Sequence, residues 1–293
     1  MRPLFMWAGG KTRLLKKYSD HLPESFDHYI EPFLGGGAMF IWAHKKNPDA
    51  KFVLNDMNDS IMMIYSMIKN NCAAFMEYVD HLSSQYLPLS KPDRKKFYYD
   101  LRHEHAYNYK AMSRTEEAAT LYFLMKTCFN GIWQINKNTN GRFGTPAGLL
   151  NQKNEVYDRE NLLLWNEALQ NCVLIASDFK KTMSYIRRDC FIFLDPPYRC
   201  SFTQYGVDFD DLLQAEVVAY LKYAKSKGAY CLMSNRDSNS GFFEDLLGDN
   251  EMVYFDVKYT AGRRKKNKDG TFSAKKAREI LMIGDGRKKE DGN

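Results

Sequence analysis

Seven short, nearly all-apolar runs constrain this chain more than any other feature. They are His28–Ile30, Phe52–Leu54, Val173–Ala176, Phe191–Leu194, Tyr230–Met233, Val253–Tyr259 and Ile280–Ile283. Runs this short suit strands buried on both faces. Helical patterns lie between several of them. Asp210–Lys227 carries Leu213, Val217, Leu221 and Ala224 along one face and then meets Gly228, a helix stop. Strands alternating with helices imply a doubly wound α/β sheet with helices on both faces. A chain of 293 residues, 44% of them hydrophobic, can bury such a core. No apolar run approaches the roughly 20 residues of a membrane span. Leu4–Ala8, soon followed by Lys11, does not read as a secretory signal.

The stretch 57–144 breaks the alternation. An apolar helix over Asp59–Lys69 is followed by a charged, aromatic segment containing Tyr98, Tyr99, Tyr107 and Tyr109. Ser113 and Glu116 then form a capping box that opens an apolar helix to about Cys128. The polar loop Asn136–Arg142 ends it. This reads as a mostly helical insertion with an exposed loop or hairpin. His103 and His105, two apart among charges, read as surface residues. None of the six cysteines forms a C-x-x-C pair, and several sit in apolar runs. They read as buried, reduced thiols of a cytoplasmic protein, with no metal site. The 42 Lys and Arg against 36 Asp and Glu give a net charge of +6. That excess permits a polyanionic partner without establishing one.

Three motifs carry chemistry. Asp195-Pro196-Pro197-Tyr198 directly follows the run ending at Leu194, so it lies at the carboxyl end of a buried strand. Open α/β sheets place their ligand crevice there. The prolines stiffen the turn and remove donors, leaving carbonyls as acceptors. A carboxylate, a carbonyl and an aromatic face can together hold a planar ring with an exocyclic amino group. The alternative is a rigid turn with an incidental acid. Second, Glu31–Phe40 contains Gly35, Gly36 and Gly37, which let the backbone approach a ligand closely. A dinucleotide fingerprint would need glycine at position 40, where Phe40 stands. Asp56, at the end of the next strand, is placed to bond ribose hydroxyls, or else to cap the following helix. Third, Trp7–Thr12 ends in Gly-Lys-Thr, but Phe5 occupies the place of the first glycine of a phosphate loop. Its glycines and Lys11 still suit an anion such as a carboxylate.

Taken in order, W-A-G-G-K, E-P-F-x-G-G-G, a helical insertion and D-P-P-Y resemble the Dam-type (D12 class, alpha group) DNA N(6)-adenine methyltransferases. Leu54-Asn55-Asp56, Asn130-Gly131, Ser177-Asp178-Phe179, Phe202-Thr203-x-Tyr205 and Ser234-Asn235 extend the likeness over nearly the whole chain. The resemblance implies a Rossmann-like methyltransferase sheet, formed by residues 1–56 and 145–293, with a target-recognition domain inserted at 57–144. It implies S-adenosylmethionine as methyl donor and no metal. Trp7 and Lys11 would flank the methionine end of the cofactor, and Phe33, Gly35 and Gly37 would line its cleft. Asp56 would bond the ribose, and Asp178 with Phe179 would hold the adenine. Asp195, also on the cofactor side, and the Pro196 carbonyl would accept the target amino hydrogens, and Tyr198 would stack on a base flipped out of double-stranded DNA.

The DNA-facing residues follow from the same likeness. Asn130, Gln134, Asn136 and Arg142 belong to a loop directed at the major groove. Arg263, Arg264, Lys265 and Lys266 open a basic run that either meets phosphates or is a solvated charge run. Members reading GATC carry arginine where this chain has Gln134. Arginine pairs with guanine and glutamine with adenine, which leaves the site open between GATC and a related short sequence. Gln134 also reads as an ordinary surface loop residue. The enzyme is expected in the cytoplasm of a bacterium or phage-infected host, as a monomer or as a dimer on DNA. The alternatives are a methyltransferase acting on another nucleic-acid amino group or on a protein amide, and an inactive DNA-binding relative. Amide enzymes of this kind typically show N-P-P-Y and cytosine enzymes S-P-P-Y, and nothing in this chain suggests lost catalysis.

Overall fold

The structure, a computed structural model, describes residues 1–7, 9–199, 209–248, 252–259, 265–266, 272–273 and 275–287. The strands are β1 (His28–Glu31), β2 (Lys51–Asp56), β3 (Cys172–Ala176), β4 (Phe191–Leu194), β5 (Tyr230–Arg236), β6 (Met252–Tyr259), β7 (Lys265–Lys266), β8 (Phe272–Ser273) and β9 (Lys275–Asp285). Seven of them form one sheet in the order β3-β2-β1-β4-β5-β9-β6. The first five run parallel, and β9 runs antiparallel to both of its neighbours. All seven apolar runs of the sequence are strands of this sheet. β7 and β8 pair as a separate two-residue ribbon.

The helices are α1 (Leu15–Tyr18), α2 (Ala38–Lys46), α3 (Asp59–Asn70), α4 (Cys72–Tyr86), α5 (Lys91–Tyr107), α6 (Arg114–Thr127), α7 (Arg159–Leu169), α8 (Asp211–Ser226) and α9 (Phe242–Leu247). Side chains alternate across each strand. Tyr29, Phe52, Phe191, Phe193, Leu232 and Leu281 therefore face one core with α2, α3, α6 and α7. Ile30, Val53, Ile192, Leu194, Met233 and Met282 face a second core with α8 and α9. The doubly wound expectation holds, with helices on both faces.

The helix signals act as read. Asp210 caps α8 through the Leu213 amide, and Gly228 follows it in a left-handed conformation. Ser113 and Glu116 form the capping box of α6. Within the helical segment, α3 packs on the sheet: Ile61, Ile64 and Tyr65 join the first core. Leu82, Tyr86, Phe123, Leu150 and Val156 form a smaller cluster farther out. The polar loop closes as a hairpin-like pair of bridges, Ile135 to Phe143 and Cys128 to Ala147. Five cysteines are free among the described residues, four of them buried, and Cys200 lies outside the described residues. No helix among the described residues is long and apolar enough to cross a membrane.

One reading is corrected. His103 is exposed, but His105 is buried, with neither ring nitrogen hydrogen-bonded. It lies on the inner face of α5, which the charged neighbours conceal in the sequence. Burial, then the nearby Arg142 charge, pushes its imidazole down to about 4. The folded state thus favours neutral His105. Its contribution is full above the unfolded value of about 6.5 and is lost as pH falls toward 4, about 3 kcal/mol in all. Urea unfolding at pH 7 and at pH 4.5 should show His105→Leu losing less stability across that interval than the parent protein. Equal losses would mean that the imidazole finds a partner when charged.

Candidate active site

The sheet changes winding direction between β1 and β4, where Tyr29 and Ile30 lie against Phe191 and Ile192. A crevice opens at such a switch point, beyond the carboxyl ends of the strands. The glycine turn follows β1 and Asp195 follows β4, so two motifs far apart in the sequence share one crevice.

The glycine side is built on β2. Asp56 accepts the Gly35 amide at 2.8 Å and the Asn58 amide at 2.9 Å. Burial pushes its carboxyl up to about 6, against the pull of those two bonds. The helix-cap alternative goes instead to Asn58, which caps α3. Asn55, fully buried, donates to the carbonyls of Pro32 and Ser177 and accepts the Ser177 amide, tying three strand ends together. Tyr65 donates to the Gly35 carbonyl at 3.0 Å. Gly35 and Gly37 both have positive φ, and Trp7 covers Gly35 so closely that a Cβ there would meet its indole at 2.6 Å. Phe33 stacks on Phe179 with ring centroids 5.3 Å apart. Asp178 is exposed beside them and caps the following turn through the Lys180 amide. A cleft with a close backbone turn, an aromatic face and two carboxylates fits a nucleoside.

The Asp195 side is a polar cluster under an aromatic ring. Asp195 Oδ1 receives Lys11 Nζ at 2.5 Å and Ser234 Oγ at 2.9 Å. Lys11 is 2% exposed, also donates to the Gly9 carbonyl, and lies 4.7 Å from the centre of the Tyr198 ring. Gln214 donates to the Pro197 carbonyl at 2.7 Å and accepts from Asn235, whose own carbonyl oxygen receives the Arg199 amide. Among the described residues, neither Asp195 Oδ2 nor the Pro196 carbonyl has a hydrogen bond. Tyr198 donates to Glu279 at 2.6 Å. No group of three or more His, Cys, Asp and Glu that could hold a metal occurs among the described residues.

This geometry can hold an amino-bearing ring beside a nucleoside cleft. A family model, the D12 class N6 adenine-specific DNA methyltransferases, matches residues 7–265. The chain belongs to this family. It is a methyltransferase that uses S-adenosylmethionine to methylate adenine in DNA. Relatives span almost its whole length. The type II methyltransferase M.MjaIII of Methanocaldococcus jannaschii is 31% identical over 289 residues, covering 93% of this chain and 97% of that one. The type II methyltransferase M1.LlaDCHI of Lactococcus lactis is 28% identical over 279 residues, 92% of each. The DNA adenine methylase of Haemophilus influenzae is 27% identical over 251 residues, 81% of this chain and 80% of that one.

In the loop that follows α6, Asn130 is exposed and left-handed, and Gln134 is half-buried with its backbone carbonyl accepting the Gly144 amide. Asn136 is turned inward: it donates to the Gly144 carbonyl and accepts from Thr139. Arg142 pairs with Glu117 and lies 3.6 Å from the centre of the Tyr109 ring, so its guanidinium holds the loop together. Lys137, Asn138 and Asn140 are the exposed tip. Trp133 joins this loop to the N-terminal segment, 6.0 Å from Trp7 between ring centroids. Phe129 and Met6 are exposed by 45% and 63% beside it. Arg263 and Arg264 lie outside the described residues, as do Phe202, Thr203 and Tyr205, and Lys265 and Lys266 are described as β7 backbone.

Sequence reasoning missed Gln214 and Glu279 as parts of the site, and quoted Asn55 in a motif without giving it a role. Glu279 did leave a signal: it is an acid directly before the apolar run Ile280–Ile283. Because β9 is antiparallel, that position lies level with Arg236 at the carboxyl end of β5.

Proposed function

We propose that this methyltransferase acts on the exocyclic amino group of one adenine within a short double-stranded site, GATC or a close relative, with that base swung out of the duplex. The observation that carries this reading is the pair of open acceptors, Asp195 Oδ2 and the Pro196 carbonyl, beside the Tyr198 ring. A stacked base keeps its amino group inside the duplex, out of reach of a crevice at strand ends. Extrusion costs a few kcal/mol, which stacking on Tyr198 offsets.

When bound, S-adenosylmethionine supplies an electrophilic methyl group. Gly35 and Gly37 admit it closely, Asp56 meets the ribose, and Asp178 with Phe179 and Phe33 holds the adenine end. Asp195 and Pro196 accept both amino hydrogens of the target. That favours a pyramidal nitrogen and frees a lone pair otherwise delocalised into the ring. Asp195 offsets the positive charge that develops on nitrogen until one proton leaves. Such positioning and electrostatics supply most of the acceleration. Residues 57–144 carry target recognition, with Asn130 and Gln134 at the bases and the Arg263–Lys266 run on phosphates.

The test is methyl transfer from labelled S-adenosylmethionine to unmethylated genomic DNA, digestion to nucleosides, and mapping by sequencing. The expected product is N(6)-methyladenine within one short motif. Label scattered over unrelated sequences would overturn site specificity. Unlabelled DNA would overturn the assignment of Asn130 and Gln134.

A further inference from the structure

Glu279 has no part in any motif, yet it is 0% exposed and sits within the polar cluster of the crevice. On β9 it pairs in register with Arg236 of β5 and Phe255 of β6. It faces the same side of the sheet as Ser234, because residues alternate along each strand. Its carboxylate accepts the Tyr198 hydroxyl at 2.6 Å. Among the described residues, Glu279 holds that ring at its tip and Lys11, which also grips Asp195, lies over one face. Without the tip contact, Tyr198 would turn about its side-chain torsions, and the stacking face would move relative to the Asp195 acceptor.

We propose that Glu279 is a positioning residue for methyl transfer: through the Tyr198 hydroxyl it sets the plane on which the target base lies. This rests on the reading above that Tyr198 stacks on the base. The charge environment agrees with the geometry. Burial first, and then Asp195, raise the Glu279 carboxyl, while Lys11, the Tyr198 hydroxyl and Arg236 lower it, leaving it at about 7. Tyr18 of α1 faces it as well. The ionised carboxylate accepts the phenol more strongly than the neutral acid does. Tyr198 is therefore held more firmly as pH rises through about 7.

The experiment compares Glu279→Ala, Glu279→Gln, Tyr198→Phe and Tyr198→Ala with the parent enzyme, measuring kcat and KM from pH 6 to 8.5. Glu279→Ala should lower kcat by about 10- to 100-fold, with KM for S-adenosylmethionine within about threefold of the parent. Glu279→Gln keeps an oxygen acceptor. It should recover kcat to within about threefold at pH 7 and lose the inflection near pH 7. An unchanged kcat in Glu279→Ala, or an inflection that persists in Glu279→Gln, overturns the proposal. Should Glu279→Ala fail to fold, the pair Glu279→Gln with Tyr198→Phe decides. Acting through the hydroxyl predicts no further loss in the double variant, and additive losses exclude it. A parent enzyme that methylates adenine while Glu279 variants match it refutes this inference alone. Unchanged kcat in Tyr198→Ala refutes the stacking reading, and this inference with it.

Discussion

Replacing Asp195 by alanine is expected to abolish methyl transfer, lowering kcat by at least about 10²- to 10³-fold while cofactor affinity changes little. Two effects act together. In the proposed mechanism, the target amine loses the acceptor that offsets its developing charge. Lys11, 2% exposed, loses its carboxylate partner at 2.5 Å. An ammonium left buried without its counter-ion costs a few kcal/mol. Alanine should therefore also lower the melting temperature, and part of any activity loss could come from unfolding. Asp195→Asn separates the two effects. It keeps the shape of the side chain and a carbonyl acceptor but removes the negative charge. Single-turnover assays below the melting transition, with saturating labelled S-adenosylmethionine, isolate the chemical step. A rate within tenfold of the parent in folded Asp195→Ala would remove Asp195 from the mechanism, and Lys11 would become the residue to explain.

The interior strands of this fold were legible because β4 and β5 are buried on both faces, whereas the edge strand β3 is partly exposed, with Val173 open to solvent. Phe191–Leu194 and Ile280–Ile283 needed no context to be found. Their neighbours in the sheet were not legible. Only the tertiary arrangement brings β1 beside β4, and hence Gly35 to the same crevice as Asp195. Asn55, Gln214 and Asn235 illustrate the limit. Each is a buried amide bonded to atoms remote in the sequence, and no local spacing encodes such partners. His105 shows the converse. Its neighbours in sequence are polar, so the text suggests a surface, while one face of α5 turns it inward. The helical stretch between β2 and β3 was visible as a break in alternation. That Asn136 would be engaged within its own loop, and Arg142 with Glu117 of α6, was not, because both partners are brought in by the tertiary arrangement.

Gly37→Ala should destabilise the protein by about 2–5 kcal/mol, without touching any group that takes part in the chemistry. Two separate costs add. The residue has φ of 71°, a conformation in which a Cβ crowds its own carbonyl, worth about 1–2 kcal/mol. The new methyl would also stand 2.6 Å from Cη2 of Trp165. That indole cannot retreat easily. It is fully buried, donates to the Arg2 carbonyl at 2.7 Å, and is flanked by Phe40 and Tyr65. Forcing atoms into such packing costs about 1–3 kcal/mol. The expected thermal shift is a fall of roughly 5–10 °C, with cofactor affinity reduced because the turn over Gly35–Gly37 is displaced. Trp165→Phe lacks the clashing atom. Combined with Gly37→Ala it should lose less stability than the sum of the two single variants, leaving mainly the backbone strain. Strict additivity would show that the clash is relieved by movement of the turn itself, and the cleft proposed for the cofactor would then take the strain in place of the core.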